Sequence, residues 1–150
     1  MEALILRLRR RDDGAELIEM AIVLPLLLLL ILGMVDFGFL FQRYVVLTNA
    51  AVEGARVGSL PGYAASDVAA RVQAYAANGG VAGTVNTSTT SVALPASGGG
   101  TWPGTQVTVT HAYTYQYIAP IAALFSGRTG GTVTITSRAT MRNQVAAAAP

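Results

Sequence analysis

The chain has neither cysteine nor lysine, one histidine, and few charges of either sign. Of its 150 residues, 12% are charged and 52% are hydrophobic, whereas a soluble globular domain has about 25% charged residues. Without cysteine, neither a disulfide nor a thiolate metal site can form. The scarcity of charge indicates a protein that meets a membrane or an assembly partner.

The charges that are present are unevenly distributed. All eight acidic residues lie at or before Asp67, and His111 is the only histidine. The residues after Asp67 therefore lack the paired titratable groups that acid–base or nucleophilic catalysis needs. The ten basic residues are all arginine and are too dispersed for a nucleic-acid surface. We expect no enzyme activity, no catalytic residue, no metal, no cofactor and no nucleic-acid partner.

A long apolar run dominates the first third of the chain. Between Met20 and Phe41, fifteen of the 22 residues are Leu, Ile, Val or Phe, and the single charge is Asp36. As a helix this run would rise about 33 Å, which matches a hydrocarbon core of about 30 Å. The apolar residues favour insertion by on the order of 5–9 kcal/mol. One Asp at mid-membrane costs about 2.5–3.5 kcal/mol, so we predict one membrane-spanning helix.

Four arginines precede the apolar run, at positions 7, 9, 10 and 11. By the positive-inside rule they place the N-terminus in the cytoplasm and the C-terminal part outside. A secretory signal peptide is the alternative, but the run is long for one and no small-x-small cleavage site follows. We therefore predict a cytoplasmic basic leader over 1–14, a transmembrane and extended helix over 15–60, and an extracytoplasmic domain over 61–150.

Small residues mark the extension of this helix beyond the membrane. Ala50, Gly54 and Gly58 lie four apart in a stretch without proline. Residues at this spacing share one helix face, on which another helix or sheet can pack closely. The pair Pro61-Gly62 is expected to end the helix.

A second helix and then strands are predicted for the remaining residues. Ser66 and Asp67 supply N-cap chemistry, and Asn78-Gly79-Gly80 ends the helix. Its expected apolar face consists of Val68, Val72, Tyr75 and Ala76. From Thr84 the hydrophobic period changes to two, which predicts strands over 107–115 and 132–141 and a weaker, Thr-rich strand over 85–94. His111 lies on the apolar face of the first of these, where packing is the expected role.

The predicted fold class is therefore α+β. A long N-terminal membrane-spanning helix is followed by a short second helix and a small antiparallel sheet of about three strands. Glycines at 98–100 and 130–131 mark turns, residues 117–125 suit a short helix or an apolar crossover, and the tail over 145–150 is expected to fray.

A glycine and a glutamate flank the start of the apolar run. Gly14 is followed by five residues that end in Glu19. A carboxylate at the edge of such a run is costly unless something pairs with it. If the chain were cut after Gly14, Ala15 would gain an ammonium group able to pair with Glu19 of a neighbouring subunit. Glycine before the cut would also give a protease an unobstructed backbone.

The stretch from residue 14 to residue 56 resembles the TadE-like family. Gly14 with Glu19 resembles the recognition site of a prepilin peptidase, as in type IV pilins. The other matching features are Pro25 within the apolar run, Asp36-Phe37-Gly38, Asn49-Ala50-Ala51 and Glu53-Gly54-Ala55-Arg56. TadE-like proteins are minor pilins or pseudopilins of the tight-adherence (Flp, type IVc) pilus and secretion system.

The resemblance implies a non-enzymatic assembly subunit whose leader is removed by a prepilin peptidase. The implied partners are this peptidase, other pilins and pseudopilins, the inner-membrane pilus assembly platform and membrane lipid. The implied location is the bacterial inner membrane in a single pass, or a surface pilus that serves attachment. The residues that the resemblance implies in assembly and helix packing are Glu19, Pro25, Asp36, Ala50, Glu53, Gly54 and Arg56.

Several of these residues allow a second interpretation. Glu19 fits an interfacial residue that reaches headgroups, and Asp36 fits either an interface residue or a partner contact. Pro25 loosens the helix in either case, which would help subunits bend as they leave the membrane. Glu53 and Arg56 lie three apart on one face, which favours a local ion pair of about 0.2–0.5 kcal/mol. A contact of Glu53 with the C-terminal domain is the alternative.

Two other functions are weighed against the pilin hypothesis. An uncleaved single-pass protein with an extracytoplasmic binding or adhesin domain would keep its leader, and its sheet and tyrosines would contact a ligand. A membrane-anchored enzyme is disfavoured by the single histidine and by the lack of acids after Asp67.

Overall fold

The computed structural model describes residues 2–97, 99–119, 121 and 131–144, with side chains described from Gly14 onward. Two helices, α1 (Glu2–Gly58) and α2 (Ala65–Asn78), precede three strands, β1 (Asn86–Ala96), β2 (Gly100–Thr114) and β3 (Thr132–Arg142). The strands form an antiparallel sheet in the order β1-β2-β3. The predicted α+β fold, with a long apolar helix, a short helix and three antiparallel strands, is confirmed.

The chain divides into two compact units. One draws on Met1–Gly38 and Tyr115–Gly130, and the other on Phe39–Thr114 and Gly131–Pro150. Helix α1 contributes residues to both units, because the division at Gly38 falls inside it.

The apolar part of α1 exposes its side chains on all sides. Every side chain from Ala15 to Leu28 is exposed, and Leu26 and Leu27 are 70% and 56% exposed. The stretch Gly14–Gly58 is long and apolar enough to cross a membrane, with a mean hydropathy of 2.7 in its most apolar window. A helix that is apolar all round requires an apolar environment, so α1 is compatible with a single-pass membrane protein.

The core of the second unit lies between the C-terminal part of α1, α2 and one face of the sheet. Its buried apolar side chains are Leu47, Ala50, Ala51, Ala55, Val68, Val72, Ala76, Val81, Val85, Val107, Val109, Tyr113 and Ile135. Valine and alanine predominate, which brings the backbones close together. Because the chain has no disulfide, this packing and the backbone pairing of the sheet hold the unit together.

The predicted two-residue period places the expected side chains in this core. Val107, Val109, His111 and Tyr113 of β2 are buried, whereas the alternate Thr108, Thr110 and Thr114 are part-exposed or exposed. Tyr115, predicted on the same strand, follows its end. Val133 on β3 and Tyr75 on α2 are each 38% exposed, so neither lies in the core as the pattern suggested.

Helix α2 begins differently from the prediction. Its N-cap residue is Ala64 rather than Ser66 or Asp67. Asp67 supports the first turn from inside the helix, because its Oδ2 accepts the backbone N–H of Ala64 at 2.9 Å. Asp67 therefore provides cap chemistry, but three residues after the N-cap, as the reciprocal half of a capping box does.

Two hydrogen bonds attach the end of α1 to the sheet. The hydroxyl of Thr105 lies 3.0 Å from the carbonyl oxygen of Gly58, and the backbone N–H of Gln144 donates to the carbonyl of Ser59 at 2.8 Å. Helix α1 ends at Gly58, three residues before the predicted Pro61-Gly62 stop. The first bond satisfies the Gly58 carbonyl, which the helix leaves without an internal partner, and the second holds Ser59, the residue that follows the helix.

Some expectations fall partly outside the described residues. Of the turn at 98–100, Gly99 has a φ of 80°, which glycine adopts without strain, while residue 98 is not described. Ile118, Ala119 and Ile121 are helical, but residues 120 and 122–130, which include Arg128 and half of the predicted turn at 130–131, lie outside. The tail over 145–150 lies outside as well.

Candidate functional site

The predicted processing site lies on α1, where Gly14 is half-buried and Ala15 and Glu19 are exposed. The helix runs through Gly14 and Ala15 without interruption, and a methyl group added at Gly14 would meet no atom within 4 Å. Glycine lowers helix stability by about 1 kcal/mol relative to alanine, so α1 opens more easily here than at its leucines. The geometry leaves Gly14 accessible to an enzyme that binds an extended backbone.

Glu19 is exposed at the edge of the apolar run. Among the described side chains, the only ion pair joins Arg71 to Glu53. Glu19 therefore has no charged partner within this part of the chain, and its pairing with another subunit stays a prediction. Pro25 lies six residues further on inside the helix, and its role in bending stays a prediction too.

Asp36 is the most deeply buried charged residue of the described chain, with 1% of its surface exposed. Its Oδ1 accepts the backbone N–H of Gln116 at 3.1 Å. Its Oδ2 accepts the backbone N–H groups of Tyr117 at 3.0 Å and Ile118 at 2.7 Å. Hydrogen bonds from N–H groups to an ionised carboxylate are roughly twice as strong as neutral ones. Asp36 thus fixes the chain segment that follows β2.

A glycine one turn earlier lets this segment approach α1 closely. A Cβ added to Gly33 would lie 3.2 Å from Cδ1 of Ile118. Residues 116–118 lead into a helical segment at Ile118, Ala119 and Ile121, so Asp36 accepts three N–H groups that have no acceptor within that first turn. The sequence predicts a membrane interface or a partner contact for Asp36, and this contact within the chain is not evident from the sequence.

The small-residue stripe of α1, defined as Ala50, Ala51, Gly54 and Ala55, packs inside the second unit. All four residues are buried. A Cβ added at Gly54 would lie 2.5 Å from Cγ2 of Val72 on α2 and 3.3 Å from Cγ1 of Val107 on β2. The absence of a side chain at Gly54 therefore decides how closely α1 meets both neighbours, while contacts of this stripe during assembly stay a prediction.

Glu53 pairs with Arg71 of α2 rather than with Arg56. Its Oε1 accepts Nη2 of Arg71 at 2.8 Å and Nε at 3.1 Å. The local ion pair of Glu53 with Arg56 was therefore wrong, and the alternative contact with the C-terminal domain is the one present. Arg56 is exposed, so it is free to meet another molecule, which is how its predicted assembly role would operate.

We expect Arg71→Gln to destabilise the second unit by at most about 1 kcal/mol, because the Arg71 side chain is 56% exposed and pairs open to solvent contribute little. Arg56→Gln removes an arginine from the same helix face as Glu53 and should leave the stability unchanged. Urea unfolding of both variants in detergent, followed by Trp102 fluorescence, measures the difference. Equal losses in the two variants would contradict the assignment of Arg71 as the partner.

The described residues contain no cluster of side chains that could hold a metal ion. No group of three His, Asp or Glu side chains converges there. His111 is 7% exposed, and its Nδ1 lies 3.4 Å from the carbonyl oxygen of Thr84. This position on the inner face of β2 agrees with the packing role expected from the sequence.

The described features define a class of protein: a long apolar helix that suits a single pass through a membrane, followed by a small α+β unit packed on its C-terminal part. Residues 14–56 match the TadE-like protein family, which confirms the resemblance drawn from the motifs. The match covers 43 of the 150 residues. No curated protein and no solved structure matches the chain.

The family match relates the chain to proteins associated with the Tad pilus. This family is structural and non-enzymatic, and its proteins interact with other pilus components. The match begins at Gly14 and ends at Arg56, so it includes the predicted processing site, Asp36, the small-residue stripe and Glu53. The α2 helix and the three strands lie outside it.

Proposed function

We propose that this chain is a minor pilin or pseudopilin, processed by a prepilin peptidase between Gly14 and Ala15 and needed to assemble a tight-adherence (Flp, type IVc) pilus for surface attachment. The observation that carries the proposal is the TadE-like match, which starts at Gly14. The open space beside Gly14, where an added Cβ would meet no atom within 4 Å, supports it, because the peptidase needs access to this backbone.

The exposed apolar surface of α1 supports an assembly role. From Ala15 to Leu28 the described side chains have no packing partner that buries them. In the membrane these side chains contact lipid, and in a fibre they contact the helices of other pilins. One helix surface thus serves both environments, since neither requires a polar group at these positions.

Glu19 provides the ionic contact between subunits in this assembly. Removal of residues 1–14 creates an ammonium group at Ala15, and Glu19 lies one turn further along the helix. An exposed carboxylate without a charged partner among the described side chains is able to accept the ammonium of an adjacent subunit. Attraction between unit charges at about 4 Å is several-fold stronger outside bulk water, so the contact favours a defined register between helices.

The four arginines of the leader orient the chain during insertion. They hold the leader in the cytoplasm and leave α2 and the sheet on the outer side. Assembly then proceeds at an inner-membrane platform with other pilins and pseudopilins as partners. Pro25 removes one backbone hydrogen bond of α1 and eases bending as the subunit leaves the membrane.

The first test is the intact mass and N-terminal residue of the membrane-extracted chain, with and without the host's prepilin peptidase. The proposal expects a mature chain that begins at Ala15 only when the peptidase is present. A full-length chain in both strains would contradict processing. That result would favour the alternative function, an uncleaved membrane protein with an extracytoplasmic binding domain.

A further inference from the structure

We propose that residues 116–119 and 121 form a second lipid-contacting segment, held by Asp36 in the membrane leaflet that lies farther from the leader. The inference rests on the proposed passage of α1 through a membrane. It adds a contact that the TadE-like match does not contain, since the match ends at residue 56. The described residues of the segment are 116–119 and 121.

The position of Asp36 along α1 sets the depth of this segment. Asp36 lies seventeen residues after Glu19, which corresponds to about 25 Å along a helix at about 1.5 Å per residue. A hydrocarbon core is about 30 Å thick. With Glu19 at one interface, Asp36 lies inside the opposite edge of the apolar layer, and any group hydrogen-bonded to it lies at a similar depth.

The contact pairs a carboxylate with backbone N–H groups, and each of these would be unfavourable alone at this depth. A carboxylate inside the apolar layer is unfavourable without a partner, and so is each backbone N–H group that has no acceptor there. Asp36 and the N–H groups of residues 116–118 satisfy one another at 2.7–3.1 Å. Irregular backbone is tolerated at membrane depth when such contacts bury it against protein.

The segment exposes the uncharged side chains of Gln116 and Tyr117 and half-buries Ile118, Ala119 and Ile121. Residues 115–121 carry no charge, and Tyr117 is 43% exposed. Tyrosine is enriched where the apolar layer meets the headgroups. On α1 beside Asp36, Val35 and Phe37 are 41% and 61% exposed. The absence of charge and the exposed apolar side chains at this depth favour lipid as the partner.

The lack of cysteine makes a depth measurement direct, because one introduced cysteine is the only labelling site. The full chain is reconstituted in vesicles of phosphatidylethanolamine and phosphatidylglycerol, with a nitroxide at Gln116→Cys or at Ala119→Cys. Collision with oxygen, which concentrates in lipid, is compared with collision with a water-soluble nickel chelate. We expect the oxygen-to-nickel accessibility ratio to be several-fold higher at both positions than at Ser88→Cys on the exposed face of β1.

The role of Asp36 is tested in the same labelled chains. Asp36→Asn retains the shape but replaces one acceptor oxygen with an N–H₂ group, and Asp36→Ala removes both oxygens. We expect the ratio at residues 116 and 119 to fall toward the Ser88 value, more in the alanine variant. Asp67→Asn is the matched control, because it weakens a carboxylate–backbone contact in α2 and should leave the ratio unchanged.

Three results would overturn the inference. Ratios in the unaltered chain that equal the Ser88 value would place the segment in water. Low accessibility to both reagents would mean that another protein surface, including a second copy, covers it. Ratios that stay high in both Asp36 variants, with Trp102 fluorescence unchanged, would show that Asp36 does not hold the segment.

A label at Leu27→Cys separates this inference from the proposed function. Leu27 lies near the middle of the apolar run and is 56% exposed. If the oxygen-to-nickel ratio at Leu27 exceeds the Ser88 value while the ratios at residues 116 and 119 equal it, the inference alone is overturned. If the ratio at Leu27 equals the Ser88 value, α1 does not pass through the membrane, and both the inference and the proposed function are overturned.

Discussion

Gly14→Leu is expected to keep its leader and to lose pilus assembly in a strain that processes the unaltered chain. The open space around Gly14 makes this a test of recognition rather than of folding, because an added Cβ meets no atom within 4 Å. Leucine is also a better helix former than glycine, by somewhat less than about 1 kcal/mol. It therefore both blocks close approach of the peptidase to the backbone and stabilises the helical state that cleavage must open.

The intact mass of the membrane-extracted variant measures the outcome. We expect at least a tenfold lower fraction of chain that begins at Ala15, and a matching loss of surface pili. Gly38→Leu is the control, because Gly38 lies in the same helix and a Cβ added there also meets no atom within 4 Å. Normal processing of Gly14→Leu would remove the support that Gly14 gives to the pilin hypothesis.

Gly54→Ala is expected to destabilise the second unit although it places a better helix former in α1. The methyl group would lie 2.5 Å from Cγ2 of Val72, 3.3 Å from Cγ1 of Val107 and 3.4 Å from Cγ1 of Val68. All three valines are buried, at 0–1% exposure, and are restricted at χ1. Overpacking of this kind costs about 1–3 kcal/mol, against a helix gain of about 1 kcal/mol. The expected net loss is about 1–2 kcal/mol.

Urea unfolding of the full chain in detergent, monitored by the single tryptophan, measures this loss. Trp102 reports on the sheet, where the guanidinium of Arg142 lies 3.5 Å from the centroid of its ring. Gly38→Ala is the matched control, since its methyl meets open space, and its midpoint should be unchanged or higher. Gly54→Val should lose at least about 3 kcal/mol, because two further methyl groups enter the same contacts.

A double-mutant cycle identifies the contact that Gly54 relieves. Val72→Ala alone leaves a cavity and should destabilise the unit, yet combined with Gly54→Ala it should cost less than the sum of the two single changes. Neighbouring residues typically show interaction energies of about 0.5–3 kcal/mol. Strict additivity would contradict the close approach of α1 and α2 at this point.

Sequence patterns determined the elements of this protein because each depends on residues that are near in sequence. The apolar run predicts α1 through its length and composition, and the two-residue period predicts β2 and β3. Gly79 and Gly80 predict the C-terminal end of α2, which lies at Asn78. The motif from Gly14 to Arg56 is also local, so the TadE-like match could be anticipated from the sequence alone.

The packing partners of the small-residue stripe do not follow from local sequence patterns. The spacing of Ala50 and Gly54 predicts a smooth face on α1, but it does not identify what packs on it. The strand order β1-β2-β3 places the central strand, with Val107, against that face. Many strand orders satisfy the same alternation, so this choice is a property of the folded chain.

Asp36 and Glu53 received partners that only the tertiary structure decided. Glu53 has a nearby candidate in the sequence, Arg56, and local spacing favours it because the entropy cost of meeting it is small. The folded chain instead brings residues 116–118 to Asp36, eighty positions away, and Arg71 to Glu53. Burial of the apolar faces is the larger stabilising contribution, so it determines which polar groups lie within reach of one another.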